Sequence, residues 1–348
     1  MRQYIGVDLH KNTFTVCYLS KKSQKLKSFK VSKVEIEAFK DTLSKSDEVA
    51  VESTGNTGYF VREIKELVKA VRIINPTQFK IISQSVKKTD EKDAEIIAKY
   101  LSKGLVPEVR MKSKEDAQLS SLIGTRDKFV KLRTMLKNKI HNILNANGIV
   151  TKKELFSSNK GLERVLDNDL DQASLFELRI VVTEIQNLNK SISEIDNELK
   201  DRGSKLKGHK NLTSIKGIGD ISSTILLNTI GDINDFNGDH KLAAYIGIVP
   251  RVQVSNQTSH YGRITKMGNK LARTALVQST LIAIRYNPYL RDFYMKLKTK
   301  KGSGKAIIAT ARKLLTIIYR TLKNNWVFED FGNFKLQSDK KVYHLSSA

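Results

Sequence analysis

The spacing of apolar residues changes character along this chain, and that change limits what it can fold into. In the first third, apolar and polar positions alternate in short runs: Gln3–Asp8 (QYIGVD), Thr13–Leu19 (TFTVCYL) and Lys25–Val31 (KLKSFKV). A period of two predicts three successive strands, with Lys11-Asn12 and the KKSQK run as turns. Val34–Leu43 fits an amphipathic helix, Glu48–Glu52 (EVAVE) a buried strand and Gly58–Val68 a helix. Val71–Asn75 (VRIIN) fits a strand stopped by Pro76, and Asp90–Leu101 a helix. That order predicts an α/β layer with a mixed sheet. Beyond it Leu122, Phe129, Leu132, Leu136, Ile140 and Ile143 recur at spacings of three, four and seven. Leu178, Val182, Ile185, Leu188, Ile192, Ile195 and Leu199 do the same. Two long amphipathic helices are predicted, the first about 50 Å long at 1.5 Å per residue. Asn145-Ala-Asn-Gly148 closes the first. Such an arm either folds on itself or pairs with another copy. From Asp201-Arg-Gly203 to about Asn325 the chain reads as helical and glycine-punctuated, ahead of a tail left without assigned structure.

The 348 residues, 40% hydrophobic and 28% charged, suffice for two or three domains with real cores and exclude wholesale disorder. One cysteine, Cys17, excludes an intrachain disulfide and a cysteine-rich metal site, and suits a reducing compartment. MRQYIGVDLHKN reaches an Asp and a Lys too soon for a signal peptide. Ile221–Ile230 and Thr274–Ile284 are too short and too polar to span a bilayer. A cytoplasmic protein without a membrane partner is expected. The formal charge is +25, and its distribution is uneven: Arg251 to Asn325 carries sixteen Lys/Arg and one acid, Asp292. A solvated surface normally mixes both signs. A one-signed field favours a polyphosphate partner, and nucleic acid over an anionic membrane.

Four acids are placed for chemistry. Asp8 ends IGVD, Glu52 ends VAVE, and Asp90 and Asp93 stand three apart in KTDEKDAEIIA, hence on one face of a helix. If the two strands are neighbours and the helix crosses their ends, four carboxylates converge and repel unless divalent cations neutralise them. Hard oxygen donors suit Mg²⁺ or Mn²⁺, and two such ions serve phosphodiester chemistry. Asp90 reads equally well as a helix N-cap, with Asp93 adding favourable first-turn charge. His10, beside Asp8, could orient a substrate or fill the fold, and the second reading is preferred.

In the last third, LTSIKGIGDISSTILLNTIGD (Leu212–Asp232) reads as helix, glycine turn, helix. Gly217 and Gly219 would let backbone approach a ligand, and a helix N-terminus follows for a phosphate. A plain helical turn fits as well. A Ser/Asn/Gln/Thr-rich loop then carries Ser255 and Ser259, with Arg251 on one side and Arg263, Lys266, Lys270 and Arg273 on the other. These cations could hold a phosphate and stabilise its transition-state charge. His260 adjoins Ser259 without a visible orienting partner.

IGVDLHKNTFTVCYL, VAVESTGNTGYF and KTDEKDAEIIAKYL resemble, in order and spacing, the RuvC-like DEDD domain of the IS110-type insertion-sequence transposases, a family that includes the Piv/MooV DNA invertases. Pro250, Ser255 and GRITKMGN (Gly262–Asn269) are similar to the serine domain of that family, and GKAIIATARKLLTIIYRTLK (Gly304–Lys323) to its closing helix. Asn256 stands where Gly is usual, and Ala272 where Leu is usual. The resemblance implies an α/β plus all-α protein. An RNase H-like (RuvC-like) domain would span residues 1–112 and a helical coiled-coil arm residues 113–203. A serine transposase domain with a helix-hairpin-helix-like segment would span residues 204–335, before a tail at 336–348. It further implies that Asp8, Glu52, Asp90 and Asp93 bind Mg²⁺ or Mn²⁺, and that Ser255, with Ser259 as the fallback, attacks DNA to form a phosphoserine linkage. The implied partners are donor and target DNA, a noncoding bridge RNA, and further copies of the chain in a dimer or tetramer held through the long helices. The implied setting is the prokaryotic cytoplasm, at the nucleoid. On the residues alone two other functions stay open: a metal-only, junction-resolving nuclease with an inert serine, and a non-catalytic nucleic-acid-binding protein whose carboxylates pair with Lys/Arg.

Overall fold

The computed structural model describes residues 2–76, 79, 89–255 and 258–328. The tail at 336–348, the end of the last expected domain and Asn256 lie outside them. The chain packs as two units, Met1–Ala117 and Gln118–Ala348.

The first unit is built on one sheet. Strands β1 (Tyr4–Leu9), β2 (Thr13–Leu19), β3 (Gln24–Lys30), β4 (Glu48–Glu52), β5 (Ala70–Ile74) and β6 (Glu108–Val109) lie in the order β3-β2-β1-β4-β5-β6. β1, β4 and β5 run parallel, and β2, β3 and β6 pair antiparallel to their neighbours. The parallel links need crossovers, supplied by helix α1 (Lys33–Lys40) between β3 and β4 and helix α2 (Thr57–Ile64) between β4 and β5. Because side chains alternate along a strand, each face takes one parity. Ile5, Val7, Phe14, Val16, Val49 and Val51 form a core with Ile36 and Phe39 of α1 and Phe60 and Ile64 of α2. Within it Phe14 stacks on Phe29 at 5.1 Å and meets Phe39 and Phe60 edge-on.

The opposite parity carries Gly6, Asp8, Ala50 and Glu52, and here helix α3 (Asp90–Ser102) lies on the sheet through Ala94, Ile97, Ala98 and Leu101. The approach is close because Gly6 lacks a side chain: a Cβ there would collide with the backbone of Ala94 and Ala98. Thr89, not Asp90, caps α3, its side chain accepting from Lys92 N. The expectation that Asp90 serves as the N-cap is therefore corrected, and its carboxylate is left to the first turn.

In the second unit, helices α4 (Lys114–Ala146) and α6 (Gln172–Ser204) run antiparallel. The register follows from Lys139–Glu177 at 2.7 Å, Arg133 donating to Asn189 Oδ1 at 2.8 Å, and the Arg126–Asp196 ion pair. The arm thus folds on itself. Its tip is closed by Gly148, whose φ of +74° suits glycine, and by the short helix α5 (Asn159–Glu163). Ile140, Leu144, Phe156, Leu162, Leu178 and Ile185 pack there. Leu119 and Ile123 of α4 and Leu199 of α6 share a cluster with Leu206, Ile221, Ile225 and Leu271, which bridges the expected boundary at residues 203/204.

The remaining elements are α7 (His209–Thr213), α8 (Asp220–Ile230), α9 (Asp239–Ile246), β7 (Pro250–Ser255), β8 (Thr258–Ile264), α10 (Lys270–Tyr286), α11 (Pro288–Lys301) and α12 (Ser303–Lys323). Leu212, Leu226, Leu242, Leu276, Leu290, Leu314 and Ile318 belong to their common core. The all-α expectation needs correction: β7 and β8 form an antiparallel hairpin where a polar loop was expected. Arg251-Val-Gln-Val-Ser255 alternates polar and apolar residues, a strand signal masked by its polar composition. No helix among the described residues is long and apolar enough to cross a membrane.

Candidate active site

Backbone register sets the site in the first unit. β1 and β4 pair in parallel up to Val7 and Val51, so Asp8 and Glu52 follow side by side at the strand ends, on the face that α3 covers. The first turn of α3 adds Asp90 and Asp93. Asp8 and Asp93 are buried at 4% and 5% exposure, whereas Asp90 is exposed. Of the four acids predicted to converge, Asp90, Asp93 and Glu52 are each close enough to act on the charge of Asp8. Burial, with the charges of Asp90, Asp93 and Glu52 adding to it, pushes Asp8 up to about 6, and His10 works in the opposite direction. Oδ2 of Asp8 is buried, with the His10 imidazole as its polar neighbour.

His10 is the residue that sequence reasoning passed over. Its Nε2 lies 3.2 Å from Asp8 Oδ2 and 3.3 Å from Asp90 Oδ1. Burial alone would lower its pKa, but the two carboxylates outweigh burial and raise it. One donor atom each from Asp8, His10 and Asp90 lie within 4.8 Å of one another, a spacing that a single ion can span. Oxygen donors with one imidazole nitrogen are compatible with divalent cations of the Mg²⁺ and Mn²⁺ type. The signal was available: His10 stands two positions after Asp8, at the alternation of the strand.

The STGNT loop after β4 holds this geometry. Asn56 Nδ2 donates to the carbonyls of His10 at 3.1 Å and Lys11 at 2.9 Å, fastening the β4–α2 loop to the β1–β2 turn. Thr57 Oγ1 donates to Glu52 O at 2.7 Å and accepts from Thr54 N at 2.8 Å. Ser53 N donates to Ile74 O.

The residues expected to hold nucleic acid are dispersed in the second unit. Ser255 is the last residue of β7, with Thr258 opposite it across the turn. Arg251 and Arg263 are exposed on β7 and β8. Lys266, Lys270 and Arg273 instead line a cleft of about 500 Å³ at the base of the hairpin. Arg273 is fixed there: its Nη1 donates to the carbonyls of Ile246 at 2.9 Å and Gly268 at 3.0 Å. Lys266 has a φ of +55°, and its N–H donates to Gly247 O. The two glycines differ. Gly217, at φ +105°, seats against α10, where a Cβ would come 2.7 Å from Ala283 N and 2.8 Å from Ser279 O. Its small size thus serves helix packing rather than approach to a ligand. Gly219 flanks the N-terminus of α8, and a Cβ there would meet open space.

Similarity to known proteins agrees with this arrangement. A family model described as "Transposase" matches residues 5–148, and one described as "Transposase IS116/IS110/IS902 family" matches residues 209–295. The transposase for insertion sequence element IS1111A of Coxiella burnetii is 26% identical, across 91% of this chain and 89% of its own length. The transposase for insertion sequence element IS1328 of Yersinia enterocolitica is 26% identical, across 93% and 98%. The pilin gene-inverting protein of Moraxella bovis is 27% identical, across 94% and 98%. With both models matched in order and the likeness running over most of its length, the chain belongs to the IS116/IS110/IS902 transposase family.

Proposed function

We propose that this chain cuts and rejoins the DNA of an insertion sequence by divalent-cation chemistry at Asp8, Glu52, Asp90 and Asp93. The observation that carries the reading is Asp8, a buried carboxylate raised to about 6 among three other acids. Such a cluster is electrostatically unfavourable alone and becomes favourable around a cation. Acids at the adjacent ends of two parallel strands, in a sheet of order β3-β2-β1-β4-β5, support an RNase H-like domain. The names of the relatives, insertion-element transposases and a gene-inverting protein, support strand exchange as the outcome.

When bound, Mg²⁺ or Mn²⁺ would polarise the scissile phosphodiester and neutralise charge that develops on it. The residues have separate tasks. Asp8, Asp90, Asp93 and Glu52 supply oxygen donors, and His10 reaches Asp8 and Asp90 with a nitrogen. Asn56 fixes the backbone that carries His10. Ser255 is the nucleophile: its Oγ–P bond forms as a P–O bond of the DNA breaks, and the departing DNA oxygen leaves with the proton the serine gives up. The phosphodiester count is unchanged, so rejoining needs no outside energy source. Arg251, Arg263, Lys266, Lys270 and Arg273 hold phosphates, and Gly219 opens a helix N-terminus to backbone.

The basic surface serves donor and target DNA and a bridge RNA that pairs with both. Exchange at two duplexes requires more than one active site, hence a dimer or tetramer. In this reading residues 1–112 form the acidic catalytic domain, residues 113–203 the arm and residues 204–335 the serine domain.

A suicide DNA substrate, supplied with the RNA that co-purifies, tests the proposal. Covalent protein–DNA product is expected with Mg²⁺, and is expected to be lost with chelator, in Ser255→Ala and in Asp8→Ala. Cleavage that persists in Ser255→Ala would replace the recombinase with a metal-only nuclease.

A further inference from the structure

The cleft at the base of the hairpin is built for more than a phosphate. One stripe of α10 lines it: Lys270, Arg273, Thr274, Val277 and Gln278, spaced as a single helix face. The stripe is graded. Its first turn bears the cations, joined by Lys266, and no acid among the described residues lines the cleft. About 10 Å further along the helix, at 1.5 Å per residue, the wall becomes Val277 and the amide of Gln278. Ile248, Ile264 and Ile308 also line the cleft. Ile248 belongs to the core at 2% exposure, while Ile264, Val277 and Ile308 are half-buried and leave part of their aliphatic surface beside the cations. The reach from cations to apolar wall is that of a phosphate to the far edge of its own base.

Building on the nucleic-acid function proposed above, we infer that this cleft takes one unstacked nucleotide. Lys266, Lys270 and Arg273 hold its phosphate. Its base enters among Ile248, Ile264, Val277 and Ile308, with Gln278 available to a base edge. The volume of about 500 Å³ accommodates one such unit and excludes a stacked duplex. Arg273 is pre-set for this, because its guanidinium is already held by two backbone carbonyls and loses little freedom on binding. Ser255 lies five residues up β7 from Pro250, about 17 Å at 3.4 Å per residue. The captured nucleotide therefore sits a few phosphates from the serine, where it would hold one strand apart from its complement.

The test uses the full-length protein at fixed salt and fluorescence anisotropy with two labelled probes: a ten-residue oligothymidylate and an abasic strand with the same number of phosphates. The base-bearing strand is expected to bind about tenfold tighter, the order of effect when part of a base's apolar surface is taken out of water. Val277→Ala, and independently Ile308→Ala, should shrink that ratio to less than about threefold while leaving the abasic affinity in place. Lys270→Ala should weaken both strands alike. Equal binding of the two strands by the unmodified protein overturns the nucleotide pocket and leaves nucleic-acid binding standing. A ratio that survives both aliphatic substitutions also overturns it, since the bases would then be held elsewhere. Binding of neither strand removes the nucleic-acid function and the pocket together.

Discussion

The two ends of β4 carry acids on the same face of the same sheet, yet they are treated in opposite ways. At the start, Glu48 is 6% exposed and is met by Arg2 and by Lys69, the latter at 3.0 Å. Burial would raise its pKa, but Lys69 and Arg2 outweigh burial and hold it below the usual range. Its neighbour Asp47, also buried, accepts from Gln3 N and Ser44 N at 2.9 Å each. At the far end of the sheet Asp8 is equally buried, but its surroundings are Glu52, Asp90, Asp93 and a half-exposed imidazole, and it is raised to about 6. Burial is thus not what separates the two carboxylates; their neighbours are. Glu48 is answered by a lysine and an arginine, whereas Asp8 meets one histidine against three further acids.

This contrast can be broken at its midpoint. Gly6 lies between the two ends on β1 and admits the backbone of α3. Gly6→Val should lift α3, separate Asp90 and Asp93 from Asp8, and cost about 3 kcal/mol or more by overpacking. Urea denaturation would measure the loss, and divalent-cation binding should weaken with it. The next effect has the opposite sign. Because Asp8 is raised in the folded chain, ionising it disfavours folding: its contribution is favourable below about pH 4 and is lost as pH rises through about 6. Asp8→Asn should therefore stabilise the metal-free protein at pH 7.5 by up to about 3 kcal/mol, with no gain near pH 3.5, while ending divalent-dependent stabilisation in a thermal melt. Glu48→Gln should do the reverse, destabilising by about 1–2 kcal/mol at neutral pH. Its lowered pKa makes that stabilisation present at neutral pH and lost as pH falls through the folded-state value. If both substitutions shift stability in the same direction, the distinction between the two ends is wrong.

How much of this was legible in the sequence follows from what each signal encodes. The five longer strands of the sheet and the crossover helices were legible because their apolar residues alternate or recur on one face, and the two long helices for the same reason. The four acids were legible because each ends a strand or opens a helix. The hairpin was hidden because its strands are polar in sequence, so composition outweighed alternation. Gly217 was misread because a glycine that admits a ligand and one that admits a helix look identical until the neighbour is known. His10 was set aside because a lone histidine more often fills a fold than a site, although its place two residues after Asp8 continues the alternation of β1. The two-residue strand Glu108–Val109 is too short to show any.

Asn56 gives the smallest effect and the sharpest division between support and chemistry. Its amide carries no charge and touches no carboxylate; it bonds the carbonyls of His10 and Lys11. That turn is also anchored by backbone bonds from His10 N to Thr13 O at 2.9 Å and from Val31 N to Asn12 O at 2.8 Å, which a side-chain change leaves intact. Asn56→Ala should therefore cost only about 1 kcal/mol of stability. It should still loosen the imidazole, because χ rotation of His10 is then added to movement of its backbone. The expected outcome is a divalent-cation affinity reduced by several fold, with Asn56→Asp failing to restore it, since a carboxylate cannot donate to those carbonyls. Titration of Mn²⁺ by electron paramagnetic resonance reads this without any turnover. An unchanged affinity in Asn56→Ala would mean that the site is held by the sheet and α3 alone, and that the STGNT loop serves the fold in the same way as the acids at the start of β4.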